Sequence, residues 1–272
     1  MEKLALFGGK KIITRKFKKY RSIGLEEKKA ALKVLNSGVL SDFLGQKSPK
    51  FYGGYYVQKF ERYLEKYFKV KHAITTNSWT SGLIAAVGAI GTEPGDEIIV
   101  PTWTMCASAI AILHWNAIPV FADIENETFN IDPKSIKEKI TPRTKAIIPV
   151  HIYGQMCDMD PILFIANKFG LYVIEDCAQS HFSEYKGIKA GLFGNAGTFS
   201  FYPGKNLGAY GDAGCIITNS DELAEKTRMF ANHGAIRKHE HEMEGINSRL
   251  DGIQAAILNV KLRRIKKWTN ER

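Results

Sequence analysis

The sequence predicts an α/β protein built on a largely parallel β-sheet, and three observations carry that prediction. From Lys71 onward, short apolar runs alternate with helical patterns of roughly ten to fifteen residues, the signature of βαβ units. Glycines and prolines stand at the joints, where neither helix nor ladder continues easily. Two reactive side chains also fall at the C-terminal ends of strand-like runs. Residues 171–175 end on Asp176, and residues 197–202 stop at Pro203 and Gly204, with Lys205 next. In open α/β sheets that edge is where ligands bind.

In chain order, residues 1–24 read as an irregular arm. Residues 25–36 form an amphipathic helix closed by Gly38 as its C-terminal cap. The glycine- and aromatic-rich loop 39–54 is long for a compact domain, which points to function or an interface. A second helix, 56–68, places Phe60, Tyr63, Leu64 and Tyr67 at spacings of three and four, a core stripe. Strands follow at 72–76, 97–100, 118–123, 145–151, 171–176, 197–202 and 212–218. The helices between and after them lie at 79–90, 105–114, 133–140, 161–169 and 221–232. No internal repeat occurs, and no flexible linker divides the chain before residue 235. The organisation is therefore an arm (1–24), a sheet-bearing domain (25–235) and a final segment (236–272).

With 272 residues, 44% of them hydrophobic, the chain can bury a large core. No apolar run reaches the roughly 18 residues of a membrane span, and the N-terminus is too poor in apolar residues for a secretory signal. A cytoplasmic location without membrane contact is the expectation. Cys106, Cys157, Cys177 and Cys215 are widely spaced and form no C-x-x-C pair, which speaks against a metal site or a disulfide framework. The net charge of +10 is concentrated early: residues 1–71 hold 18 basic against 6 acidic side chains. That excess fits a solvated helix face and assistance to a small anionic ligand. No nucleic-acid module accompanies it, so nucleic acid is not an expected partner.

Lys205 and Asp176 form the candidate catalytic pair. An amine that can form an imine and a carboxylate that can hold a pyridinium proton are what pyridoxal phosphate chemistry needs from a protein. In T-T-N-S-W-T-S-G-L, residues 75–83, hydroxyl residues lie between a strand and a helix start, where free N–H groups favour an anion. Thr80 and Ser81 are the phosphate candidates there; the alternative is that Asn77 or Ser78 only caps the helix. Ser200 either adds a hydroxyl to that site or bonds backbone in the core. Met105 or Trp103 could cover a planar ring, or fill the core. Gln179 and His181 lie just beyond Asp176 and could touch a ligand's polar atoms, Gln179 being the better candidate, and the role of His151 is open. Neither familiar glycine motif applies. G-L-F-G-N-A-G (191–197) precedes a strand, and P-G-K-N lacks both the glycine spacing and the hydroxyl residue of a phosphate loop.

Several ordered segments carry a resemblance. They are P-G-D-E-I-I-V-P (94–101), A-I-P-V-F-A-D-I (117–124), T-P-R-T-K-A-I-I-P-V-H-I-Y-G-Q (141–155), V-I-E-D-C-A-Q-S-H (173–181), F-G-N-A-G-T-F-S-F-Y-P-G-K-N-L-G-A-Y-G-D-A-G (193–214) and N-S-R-L-D-G-I-Q-A-A (247–256). In these the chain resembles the DegT/DnrJ/StrS family of sugar aminotransferases, a branch of the fold type I pyridoxal phosphate enzymes. The resemblance implies a three-layer large domain, a mainly parallel mixed sheet with helices on both faces. It implies pyridoxal 5'-phosphate as cofactor, Lys205 as the lysine that tethers it and moves a substrate proton, and Asp176 as partner of the pyridine nitrogen. Gln179 would sit near the ring hydroxyl, Met105 over the ring, and Thr80, Ser81 and Ser200 at the phosphate. Asn247 would reach the phosphate of a second subunit, making the active unit a homodimer.

The implied reaction moves an amino group from an amino acid, glutamate, to a keto sugar carried on a nucleotide, in polysaccharide or glycoconjugate biosynthesis. Two alternatives are a sugar dehydratase of the same fold, against which Lys205 speaks, and a non-catalytic or regulatory member. Two departures from the family pattern stand out. Met105 occupies a position where many relatives place an aromatic, and Trp79 replaces the usual glycine of the phosphate turn. Family members also continue into a C-terminal small domain, so residues 236–272 are expected to be a dimer-site segment and the start of that region.

Overall fold

The computed structural model describes residues 3–16, 22–44, 48–237 and 239–271. The helices and strands, in order, are α1 (Leu25–Ser37), α2 (Tyr55–Phe68), β1 (His72–Thr76), α3 (Trp79–Ala89), β2 (Glu97–Pro101), α4 (Ala107–Leu113), β3 (Ile118–Ala122), α5 (Pro133–Lys139), β4 (Thr144–Ile147), α6 (Met159–Phe169) and β5 (Tyr172–Asp176). They continue with β6 (Glu184–Tyr185), β7 (Ile188–Lys189), β8 (Ala196–Ser200), β9 (Gly214–Thr218), α7 (Asp221–Ala231), β10 (Ala235–Arg237), β11 (Glu240–His241), α8 (Gly252–Lys261) and α9 (Ile265–Glu271).

Seven strands form one sheet in the order β1-β9-β8-β5-β4-β2-β3. The pairs among β2, β3, β4, β5 and β8 are parallel, whereas β9 runs antiparallel to both β8 and β1. The sheet is thus mainly parallel and mixed. The expected strand 145–151 is shorter: regular pairing ends at Ile147, because Pro149 has no N–H to give the ladder. Its carbonyl still accepts from the Asp176 N–H at 2.9 Å, so the run stays in line with β5. The expected strand 197–202 likewise ends at Ser200, before the turn that leads to Lys205.

Side-chain alternation along the strands feeds two apolar layers. Ile98, Val100, Ile174 and Ile216 point into the layer under α3, α4 and α7. Ile99, Val173, Cys215 and Ile217 point the other way, toward α2, α5, α6 and α8. Helices therefore cover both faces, and the site lies where their N-termini meet the strand ends. Glu61 of α2 ties the second layer to the sheet. It is buried, accepts from Thr75 N–H at 2.8 Å and Thr75 Oγ1 at 2.9 Å, and pairs with Arg228 at 3.0 Å. Beyond residue 235 the chain packs back onto this body, with Ala255, Leu258 and Leu262 joining Phe60 and Leu64 in one cluster.

Candidate active site

A cavity of about 380 Å³ opens at the C-terminal edge of the sheet. Its walls bring together Thr80, Met105, Asp176, Gln179, Ser200 and Lys205, six of the residues expected there.

Asp176 is the last residue of β5 and is 2% exposed. Its Oδ1 accepts from the Ala178 N–H at 3.0 Å and its Oδ2 from the Ser108 hydroxyl at 3.0 Å. Burial pushes its carboxyl up to about 6; those two bonds, His151 and Lys205 pull the other way without overcoming it. Lys205 follows β8 by one turn, its N–H donating to the Tyr202 carbonyl at 2.9 Å. Burial pushes its amine below the ordinary lysine range, against the pull of Asp176. Both groups are thus biased toward their neutral forms in one cavity, which favours a nucleophilic amine and a carboxyl that gains most from a cationic partner.

The N-terminus of α3 forms another wall. Ser78 is its N-cap and accepts from the Ser81 N–H at 3.1 Å, so the capping alternative holds for this serine. The Ser81 hydroxyl is hydrogen-bonded to that of Ser78 at 2.9 Å, and Ser81 is not among the cavity's lining residues, whereas Thr80 is. Trp79 is buried, and its Nε1 donates to Thr198 Oγ1 at 3.1 Å, carrying the indole under the sheet edge. Gly214 makes this packing possible, since a Cβ there would lie 2.6 Å from the Trp79 nitrogen. Ser200 is buried and lines the cavity, its Oγ accepting from the Tyr202 N–H at 3.3 Å.

Gln179 is oriented by its Oε1, which accepts from the Tyr153 N–H at 2.7 Å and so holds a residue whose φ of 54° is in the left-handed region. A neighbouring cavity of about 610 Å³ shares Gln179 and Lys205 and is lined also by His181 and Asn206. Trp103 is half exposed beside Phe129 and does not line the first cavity. Asn247 is exposed outside it, its Oδ1 accepting from Arg249 Nε at 3.0 Å.

Other participants were not foreseen: Ser108, which holds Asp176, and Tyr202, Thr104 and Asp212, which complete the lining. His151 proves to be buried against Glu175. Its Nδ1 accepts from the Cys157 N–H at 3.2 Å, so Nε2 carries the proton toward Glu175 Oε2 at 3.0 Å. Cys177 completes a tight buried group with these two. Both ring nitrogens of His151 are engaged, and both Glu175 oxygens accept backbone N–H groups as well, which leaves no open donor set for a metal. Among the described residues no helix is long and apolar enough to cross a membrane.

The residues fit pyridoxal phosphate. A buried carboxylate, a lysine and a helix N-terminus converge on one cavity, with Met105 at its rim.

Comparison with known proteins agrees. The DegT/DnrJ/EryC1/StrS aminotransferase family matches residues 26–272. A pleiotropic regulatory protein of Geobacillus stearothermophilus is 46% identical over 92% of this chain and 67% of its own length. The dTDP-3-amino-3,4,6-trideoxy-alpha-D-glucose transaminase of Streptomyces venezuelae is 38% identical over 93% of the chain and 64% of its own. The crystal structure of NtdA from Bacillus subtilis with bound cofactor PMP superposes with a TM-score of 0.79 at 35% identity, covering 94% of this chain and 58% of that one. The chain spans about two thirds or less of the length of these proteins.

Proposed function

The chain belongs to the DegT/DnrJ/EryC1/StrS aminotransferase family, and from that membership we propose that it acts in a pyridoxal 5'-phosphate-dependent transfer of an amino group from an amino acid, glutamate, to a nucleotide-linked keto sugar. The observation that carries this reading is the convergence of buried Asp176 and half-buried Lys205 on one cavity closed by the N-terminus of α3. A nucleotide-sugar transaminase among the relatives supports the substrate class.

When bound, pyridoxal phosphate supplies an electron sink for the charge left on a substrate carbon that loses its proton. Asp176 holds the proton on the ring nitrogen, and the Ser108 and Ala178 donors fix the carboxylate's orientation. Lys205 would hold the cofactor through Nζ, and that same atom would move the substrate proton. Its depressed pKa keeps more of the amine unprotonated near neutral pH. Thr80, Ser200 and the first N–H groups of α3 bind the phosphate. Trp79 would exclude water from the floor of that end, and Met105 would pack against the bound cofactor. The adjoining cavity, reached past Gln179 and Lys205, gives the sugar its space. Asn247 would serve the site of a second copy in a homodimer, a reading that its exposed position outside its own cavity supports.

The test is covalent trapping. Protein incubated with pyridoxal phosphate and reduced with borohydride carries the label on the peptide containing Lys205, and Lys205→Ala abolishes it. Labelling spread evenly over surface lysines overturns the assignment. A second reading, a regulatory protein, is favoured by the name of the Geobacillus relative. It gains if the trapped protein yields no 2-oxoglutarate from glutamate with any nucleotide keto sugar.

A further inference from the structure

Lys261, the last residue of α8, is 1% exposed. Its Nζ donates to the Gly208 carbonyl and, at 3.3 Å, to Ser22 Oγ. It also stands 4.9 Å from the centre of the Tyr210 ring and 5.8 Å from that of Trp268. The carboxylate that attracts it, Glu27, is itself taken by Arg264 at 3.0 Å and by the Gly24 N–H at 2.7 Å. Burial pushes the Lys261 amine down to about 8. An ammonium buried among neutral acceptors costs stability, and an apolar side chain of similar length would fill the space at less cost. Fold stability alone therefore does not account for a lysine at this position.

What the ammonium grips is the turn that carries Lys205. Gly208 lies three residues beyond it, and that turn is folded tightly on itself: a Cβ on Gly208 would lie 2.4 Å from the Pro203 carbonyl oxygen. The Ala209 N–H donates to the Phe201 carbonyl at 2.7 Å, which closes the loop against β8. A shift of Gly208 is thus passed directly to Pro203 and to the segment between them. Gln254, two turns earlier on the same face of α8, exchanges two hydrogen bonds with the Tyr210 backbone, at 2.9 and 3.1 Å. Two side chains of α8 therefore hold Gly208 and Tyr210, both in the stretch that follows Lys205.

We propose that Lys261 is a positioning residue for Lys205: acting from outside the cavity through the Gly208 carbonyl, it fixes the 203–210 turn so that the Lys205 amine faces the cofactor cavity. This inference rests on the assignment of Lys205 as the cofactor lysine.

Cofactor-free wild type, Lys261→Met and Lys261→Gln are compared in melting temperature, hydrogen exchange and the rate of borohydride-trappable adduct formation on Lys205 with pyridoxal phosphate. Lys261→Met melts at or above wild type, yet its amides in 203–210 exchange faster and its adduct forms about tenfold more slowly, as loss of one hydrogen bond from a charged donor implies. Exchange in β5 and β8 is unchanged. Lys261→Gln, which keeps a donor, recovers part of both effects and serves as the test should the methionine variant not fold. Wild-type adduct rates and wild-type exchange of 203–210 in the variants overturn the proposal. Failure of wild type itself to trap on Lys205 overturns the cofactor-lysine assignment instead, and the exchange data then still decide whether Lys261 holds the turn.

Discussion

The Ser108 hydroxyl, in the first turn of α4, donates to Asp176 Oδ2 at 3.0 Å, linking a helix that follows β2 to the acid at the end of β5. Together with the Ala178 N–H it donates to that carboxylate, and it opposes the upward push of burial on the carboxyl. Ser108→Ala should raise the Asp176 pKa further and weaken pyridoxal phosphate binding about five- to tenfold, the worth of one hydrogen bond to a charged group. Titration of the cofactor absorbance measures this, and Ser108→Thr should restore most of the affinity.

Asp176 itself titrates against folding. Its carboxyl is held at about 6 in the folded chain, above the roughly 3.9 of an exposed aspartate. The folded state therefore binds that proton more tightly, and the stabilisation is present below about pH 4 and lost as the pH climbs through 6. Asp176→Asn removes this titration. In urea unfolding of the cofactor-free protein, the variant should gain on the order of 2 to 3 kcal/mol relative to wild type between pH 4 and pH 7.5. Its cofactor affinity should fall over the same range.

Glu175 faces away from the cavity and has a different duty. Its two oxygens accept from the N–H groups of Gly191, Phe193 and Gly194 at 2.7 to 2.8 Å as well as from His151. Glu175→Ala leaves three backbone donors and a histidine without their acceptor, a loss of at least about 3 kcal/mol in chemical denaturation. Because this cluster needs no metal, EDTA should leave the melting temperature of wild type unchanged.

Trp79 tests the departure from the family's glycine. It is 8% exposed, and through Thr198 Oγ1 it joins a hydrogen-bonded chain that ends on the Glu175 carbonyl at 3.1 Å. Trp79→Ala should cost about 3 to 5 kcal/mol, whereas Trp79→Phe, which loses only the donor and part of the ring, should cost about 1 to 2 kcal/mol. The same pair of variants reports on cofactor affinity, which should fall more for alanine because it opens the end proposed for the phosphate to water.

Much of the molecule was legible because its signals are local. Of the stripe Phe60, Tyr63, Leu64 and Tyr67, Phe60 and Leu64 are buried in the core and Tyr67 packs against it, whereas Tyr63 is 43% exposed; Gly38 ends α1 with a φ of 69°, and Asp176 ends a strand. The meeting of Lys205 with Asp176 followed from the rule that both strand ends share one edge of the sheet. What was not legible depends on contacts between distant residues. Nothing near Ser108 in sequence marks it as the partner of Asp176, and nothing near His151 announces Glu175. Ser81 carries the hydroxyl expected at the phosphate, but the N-cap Ser78 engages it. The short hairpin Glu184–Tyr185 and Ile188–Lys189 falls below the length at which alternation can be read, and the reversed direction of β9 leaves no mark in a run as apolar as its parallel neighbours.

That reversed strand also governs the order in which the protein can be made. His72 pairs with Thr218 and Thr76 with Gly214, so within the seven-stranded sheet β1 waits for β9, about 140 residues later, before that edge is covered. Gly214 is the same residue that lets the sheet close against the start of α3. The wall proposed for the phosphate and the completed sheet therefore form in one step, and a nascent chain halted short of β9 leaves an open strand edge exposed to chaperones and to aggregation.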